Sequence, residues 1–356
     1  VTNLEDLPLR DDLKGLKPYG APQLNVPIQL NVNENTFGIP ETVALDIIQE
    51  LAAEVIKLNR YPDREFLELR AEFAAYLGHN LASDQIWAAN GSNEIITQIF
   101  QAFGGPGKSA LSFGPTYSMY PNIARITLTN YQELPRLAQF ELTADYVAQQ
   151  LSEHQPSIAI LCNPNNPTGT PIDNSVIEAA YNAFNGILVV DEAYAEFSSS
   201  DSALSLLDGR PRLIVSRTMS KAFAFAGARV GYLAADAAIV DAMRIVRLPY
   251  HLSALTQAAA RAALRHSAEM LANVEQIKVQ RDRMAAQISK MGLKAFASEA
   301  NFILVEGFES PNQVFEQLLA KGVIVRNVGI PNTLRITAGT ESETTKLLGE
   351  LALILD

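Results

Sequence analysis

Cysteine is almost missing from this 356-residue chain, which has one thiol, Cys162. No disulfide can form within it, and a reducing compartment, the cytoplasm, is the expected setting. Basic tracts are missing too. The 28 Lys and Arg stand against 39 Asp and Glu, for a net charge of −11, and no Lys/Arg run could neutralise a phosphate backbone, so nucleic acid is not an expected partner. The same negative field would repel an anionic ligand, so binding one requires a local cluster of arginines and backbone N–H groups. No stretch approaches about 18 uninterrupted apolar residues, and Val1–Arg10 has neither a basic nor an apolar block. Neither export nor membrane insertion is expected. Histidine is scarce, and His79, His154, His251 and His266 lack metal-ligand spacing, so no metal is expected; His251, beside Tyr250, is the one expected near a pocket. The lone Trp87 and Cys162 read as core residues. No repeat or low-complexity tract occurs.

Apolar residues make up 48% of the chain and charged residues 19%, enough for one large domain and a smaller one. Up to about Gly38 the sequence carries several Pro and Gly with little helical period, and reads as an extended arm. From Pro40, Val43, Ile47, Ile48, Leu51 and Val55 recur at helical spacing. A helix over 64–77, an apolar run Ile86–Ala89, a helix over 93–103 and a run Ser109–Ser112 follow. Short β-rich runs Ser157–Cys162, Ile187–Val190, Leu213–Ser216 and Val230–Ala234 then alternate with helical patterns such as 174–184. This alternation predicts an α/β fold with a mainly parallel sheet covered by helices on both faces. Residues 237–291 are Ala-rich and helical, long enough to bridge two lobes. Beyond Gly292 the order strand, helix, strand, strand, helix predicts a smaller α+β domain. The expected division is an arm over 1–38 packed with the small domain, a large domain over 39–248, and a small domain over 249–356 that includes the bridging helix.

Four segments carry candidate chemistry. In SRTMSKAFAFAGARVGY (Ser216–Tyr232), Lys221 can bond an aldehyde carbon, while Thr218, Ser220 and Arg229 can hold a phosphate. A solvated loop would explain a Lys and an Arg equally well, but Ala222, Phe223, Phe225 and Ala226 make the surroundings apolar, which favours a neutral amine. In VVDEAYAEF (Val189–Phe197) a strand ends at Asp191 with Tyr194 three residues on. Turn chemistry alone could place an Asp there, yet a carboxylate at a strand's carboxyl end is also well placed for a ligand. CNPNNPTGTP (Cys162–Pro171) exposes the amide of Asn166 after another strand. In AANGSNEIITQIF (Ala88–Phe100) a strand runs through Gly91 into Ser92 and Asn93, where a helix start can be an ordinary cap or an anion site.

The order GSNE, GPTY (Gly114–Tyr117), NNPTG, DEAY and SRTMSK resembles that of the fold-type I pyridoxal-5′-phosphate (PLP) aminotransferases, and among them the histidinol-phosphate aminotransferase family. The resemblance runs almost end to end through PYGAP (Pro18–Pro22), LNVNEN (Leu30–Asn35), RYPDR (Arg60–Arg64), RLPYHLS (Arg247–Ser253), VIVRN (Val323–Asn327) and LRIT (Leu334–Thr337), and is greatest to actinobacterial members. It implies that Lys221 holds PLP as a Schiff base and moves the substrate proton, that Asp191 pairs with the pyridine nitrogen, and that Tyr194 and Asn166 bond the phenolic oxygen. By the same resemblance Tyr117 stacks on the ring, and Ser92, Asn93, Thr218, Ser220 and Arg229 hold its phosphate. Tyr61 reaches that phosphate from a second subunit, which implies a homodimer. Tyr19, Asn33, Asn93, Tyr250, Arg326 and Arg335 surround the substrate. The implied reaction takes L-histidinol phosphate and 2-oxoglutarate to imidazole acetol phosphate and L-glutamate by a ping-pong route, in histidine biosynthesis. Two arginines suit a phosphate dianion.

An aromatic amino acid aminotransferase of the same fold is the nearest rival, since fold does not separate the two; a phosphate-ester decarboxylase is a third. A PLP-binding transcriptional regulator would need a basic DNA-binding domain, for which the arm has neither length nor charge. The chain departs from the family at Thr36, where NENP is usual; losing proline is expected to leave the arm more mobile there.

Overall fold

The computed structural model describes residues 3–18, 20 and 22–355. After two exposed 3-10 turns the chain forms a two-residue strand β1 (Ile28–Gln29) and helices α1 (Glu41–Val55) and α2 (Leu67–Leu77). Next come β2 (Ile86–Ala89), α3 (Ser92–Phe103), β3 (Ser109–Gly114), α4 (Met119–Ile126), β4 (Asn130–Pro135) and α5 (Ala144–His154). β5 (Ile158–Cys162), α6 (Asn174–Ala183), β6 (Ile187–Asp191), β7 (Leu213–Thr218) and β8 (Gly231–Ala235) complete a seven-stranded sheet. Helices α7 (Ala237–Val246), α8 (Ala254–Arg265), α9 (Ser267–Leu271) and α10 (Val274–Lys290) lead to β9 (Lys294–Ala295), β10 (Phe302–Glu306), α11 (Pro311–Ala320), β11 (Val323–Ile324), β12 (Thr333–Thr337) and α12 (Glu341–Leu355).

Every residue of β5, β6 and β7 is buried, which is why these strands read as continuous apolar runs rather than alternating ones. The sheet order is β2-β8-β7-β6-β5-β3-β4, parallel except for β8, which runs antiparallel to both neighbours. Its register puts Cys162 beside Asp191 and Asp191 beside Ser216. The loops that leave β5, β6 and β7 therefore start level with one another at the carboxyl edge, the place where α/β sheets bind ligands. Because β8 is reversed, its first residue, Gly231, pairs with the last residues of β7 and β2. The segment before β8 is thereby held at that same edge.

Two apolar clusters organise the packing. One gathers the large sheet, its flanking helices and Trp87. The other gathers α10, α12 and the antiparallel sheet β12-β10-β9, and takes in Leu30 from the arm and Tyr194, Phe197 and Ala222 from the loops at the carboxyl edge. Strand β1 pairs in parallel with β11.

The structure differs from sequence expectation in two places. The Ala-rich stretch is four helices: Pro249 interrupts it after α7, and α8 belongs to the first cluster while α10 belongs to the second. In α1, Val43 and Ile47 are buried but Ile48 and Val55 face outward. At Thr36, where the family usually has proline, the hydroxyl donates to Glu343 near the start of α12, a tie that proline could not make.

Candidate active site

The loops at the carboxyl edge enclose a cavity of about 480 Å3. Lys221, Asp191, Tyr194, Asn166, Tyr117, Ser92, Asn93, Thr218, Ser220 and Arg229 all line it, together with Asn33, Arg326 and Arg335. They come from the ends of several different elements. Ser92 and Asn93 open α3, whose first N–H groups and dipole favour an anion. Gly91, just before it, has φ +86° and ψ 165°, a conformation that essentially only glycine adopts. A Cβ there would lie 2.3 Å from Nη2 of Arg229. Across the sheet, a Cβ on Gly231 would lie 2.2 Å from the backbone of Gly91 and Ser92. The two glycines let α3, β8 and the Arg229 guanidinium converge. Thr218 Oγ1 donates to Ser220 Oγ at 3.0 Å, and Arg229 Nη1 reaches the same hydroxyl at 3.4 Å.

Beside this group lies a buried carboxylate. Asp191 Oδ2 accepts a hydrogen bond from the Tyr120 hydroxyl at 2.7 Å, whereas Oδ1 is buried with no partner among the described residues. Burial pushes this carboxyl up to about 6, against the opposing donation from Tyr120. The Lys221 amine donates to Val32 O at 3.1 Å; burial, then the nearby Arg335, bring it down to about 8. Near neutral pH a useful fraction of Lys221 is thus a free amine.

A second cationic group has separate partners. Arg335 donates to Asn166 Oδ1 and to Asn31 O, both at 2.7 Å. It forms a backbone bridge with Arg326. Asn166 and Asn33 donate to the Tyr194 hydroxyl at 3.2 and 3.0 Å, and the Thr337 hydroxyl accepts from the Asn33 backbone N–H and donates to Asn33 Oδ1. The segment from Asn31 to Asn33 is therefore part of the cavity wall.

The aminotransferase class I and II family model matches residues 25–351. The histidinol-phosphate aminotransferase of Paenarthrobacter aurescens (strain TC1) is 56% identical, with 100% of this chain and 97% of that protein covered. That of Thermobifida fusca (strain YX) is 52% identical over 96% of this chain and 94% of its own. The chain belongs to the histidinol-phosphate aminotransferase family. Its fold superimposes on the crystal structure of histidinol-phosphate aminotransferase from Sinorhizobium meliloti in complex with pyridoxal-5′-phosphate, with a TM-score of 0.87, 22% identity, and 98% and 97% of the two chains covered.

Not every residue singled out from the sequence lies in the cavity of this histidinol-phosphate aminotransferase family member. Tyr61 and Tyr250 stack on each other at 4.4 Å, outside the lining, with Tyr61 80% exposed. His251 is not in the lining either; it stacks on Trp87 and its Nε2 sits 2.9 Å from Ala88 O, behind β2. Tyr19 lies outside the described residues. Cys162 is buried as expected, and it also lines the cavity. Sequence reasoning missed Tyr120, Thr337 and Asn301, whose Nδ2 donates to Asn33 O. Their partners are distant in sequence, and only the spacing of Tyr120 three residues after Tyr117 offered any hint. Among the described residues there is no cluster that could hold a metal ion, and no helix is long and apolar enough to cross a membrane.

Proposed function

We propose that this chain transfers the amino group of L-histidinol phosphate to 2-oxoglutarate, using PLP held in the cavity at the carboxyl edge of the sheet. The observation that carries the reading is a single cavity with two separate anion-binding groups, Arg229 with Ser92, Thr218 and Ser220 on one hand, and Arg326 with Arg335 on the other. A cofactor phosphate and a substrate phosphate together ask for two such groups. Residue chemistry supports the cofactor as well: the buried Oδ1 of Asp191 calls for a donor, which the ring N–H provides, and the lowered Lys221 amine suits an aldehyde.

PLP, when bound, supplies an electrophilic aldehyde carbon and a protonated ring that draws electrons from the substrate α-carbon. The protein's part is to orient and to move protons. Lys221 Nζ moves the proton at that α-carbon, Asp191 keeps the ring nitrogen protonated, and Tyr194 with Asn166 bonds the phenolic oxygen. Tyr117, which lines the cavity, would pack over the ring. Arg335 and Arg326, with Asn33, Asn93 and Tyr19, would hold the phosphate ester in one half-reaction, and Arg335 would hold the carboxylate of glutamate in the other.

The active form in this reading is a homodimer in which Tyr61 completes the partner's site. Exposed Leu45, Ile48, Val55, Ile56, Leu248 and Ile245 near Tyr61 and Tyr250 in sequence support it, since apolar side chains in such number favour a covered face. We read residues 1–38 as an arm, 39–248 as the large domain and 249–356 as the small one. The test is the visible absorbance of the PLP-loaded protein on adding amino donor. Bleaching by histidinol phosphate at far lower concentration than by phenylalanine supports the assignment. The reverse order moves it to an aromatic aminotransferase, and no band after PLP addition ends it.

A further inference from the structure

The reading above gives Asp191 one task and leaves open how a buried carboxylate is kept ready for it. We propose that Tyr120 is a positioning residue for the reaction: its hydroxyl engages one oxygen of Asp191, leaves the other for the ring nitrogen of PLP, and so keeps the shared proton on the ring. This proposal rests on the PLP reading.

Three observations carry it. Tyr120 is fully buried, and its hydroxyl donates to Asp191 Oδ2 at 2.7 Å. A position needing only volume would be filled by phenylalanine, which buries no polar group. The opposite oxygen, Oδ1, is the buried atom without a partner, so the two oxygens are divided between a permanent donor and the ligand side. Finally, Tyr120 and Tyr117 pack edge-on at 5.5 Å and 86°, and Tyr117 lines the cavity. One turn at the start of α4 thus places both the ring that faces the cavity and the phenol that holds the carboxylate.

The chemistry has a definite sign. In the pair formed by a carboxylate and a pyridine nitrogen, one proton is shared, and a hydrogen bond donated to the carboxylate stabilises the anion and leaves the proton on nitrogen. Burial, with Asp191 alongside, holds the Tyr120 phenol well above its ordinary value, so it remains a donor at every working pH. Also facing this pair are the Ala193 backbone N–H, which lowers Asp191 after Tyr120 does, Cys162 on β5, pushed up to about 12 by burial, Glu192 next in the chain, and Arg136 beyond β4, lowered by burial to about 10. Cys162 and Arg136 do not change charge between about pH 6 and 9, so neither substitutes for the phenol.

The experiment is nitrogen NMR of the holoenzyme loaded with PLP carrying 15N in the ring, for the wild type and Tyr120→Phe. The wild type should show a protonated ring nitrogen. The variant should move toward the neutral-pyridine position, with kcat lower by about 10- to 100-fold, the effect of one hydrogen bond to a charged group, and KM for histidinol phosphate within about twofold. A purely structural role would lower the melting temperature without moving the nitrogen signal, and that result overturns the proposal while leaving the PLP reading intact. If the phenyl variant does not fold, Tyr120→3-fluorotyrosine keeps the shape and strengthens the donor; the ring nitrogen should then stay protonated to higher pH than in the wild type, and an unchanged pH range overturns the proposal. A wild type that takes up no PLP overturns both readings.

Discussion

Gly91→Ala should weaken PLP binding through a residue that it does not replace. At φ +86° and ψ 165° the backbone of Gly91 lies where an alanine is strained by about 1–3 kcal/mol. With an unfolding entropy of about 2.1 cal/mol/K per residue, a chain of this length should melt roughly 1–4 °C lower. The larger effect is on the ligand. The new Cβ would stand 2.3 Å from Nη2 and 2.9 Å from Cζ of Arg229, and the end of that side chain can move aside at little steric expense. In doing so it leaves the cavity wall beside the start of α3. Losing hydrogen bonds from one guanidinium to a phosphate is worth about 1.5–3 kcal/mol, so PLP affinity should fall about 10- to 100-fold. The assay is a titration of the cofactor-free protein with PLP followed by intrinsic fluorescence, on Gly91→Ala, Arg229→Ala and the double variant. Because both lesions act through one guanidinium, the double variant should bind no more weakly than Arg229→Ala alone. Additive losses would refute the reasoning, as would an affinity within about twofold of wild type in Gly91→Ala.

Asp191 should make the cofactor-free protein less stable as pH rises. Its folded value of about 6 lies above the ordinary 3.8, so the native state binds the extra proton between these limits, and stability present below about 3.8 is lost as pH rises through about 6. Asp191→Asn removes this dependence, and its stability advantage over wild type should grow by roughly 1–2 kcal/mol between pH 5 and 8, read from urea unfolding; a constant gap would contradict the burial argument. Lys221→Ala should abolish both the visible band of bound PLP and turnover, and retained transamination would remove the lysine from its role. Mixed dimers of Lys221→Ala and Tyr61→Phe subunits should recover activity above either parent, since both lesions fall in one composite site and leave the other intact; no recovery would count against a shared site.

Much of the large sheet was legible because β5, β6 and β7 are buried on both faces, so that SIAILC, ILVV and LIVS stand out as unbroken apolar runs. The polar residues that end those runs mark the cavity for the same reason, since Asp191 and Asn166 follow strands too apolar to need them. Elements held by distant partners were not legible. Strand β1 is two residues long and exists through pairing with β11, and nothing local distinguishes Ile28–Gln29 from coil. The break between α7 and α8 was obscured by helical composition on both sides of Pro249. Tyr120 sits in a segment whose only obvious feature is Tyr117, and its significance depends on a carboxylate 71 residues away. The outward-facing apolar residues of α1 matched a buried-helix pattern, because periodicity records which face is apolar and does not record what covers it.

The arm's place in the cavity wall has a consequence for synthesis. Asn31 and Asn33 take their partners from Arg335 and Thr337, 304 residues further along the chain. A growing chain exposes its lysine and carboxylate, on a sheet formed from nearby strands, well before the last strand arrives to close the cavity over them. Contacts this far apart in sequence form late and slowly. A ribosome stalled short of β12 would therefore leave the sheet and the Lys221 amine in place with the cavity unwalled on that side. The order of translation makes Arg335 one of the last parts of the cavity wall to be added.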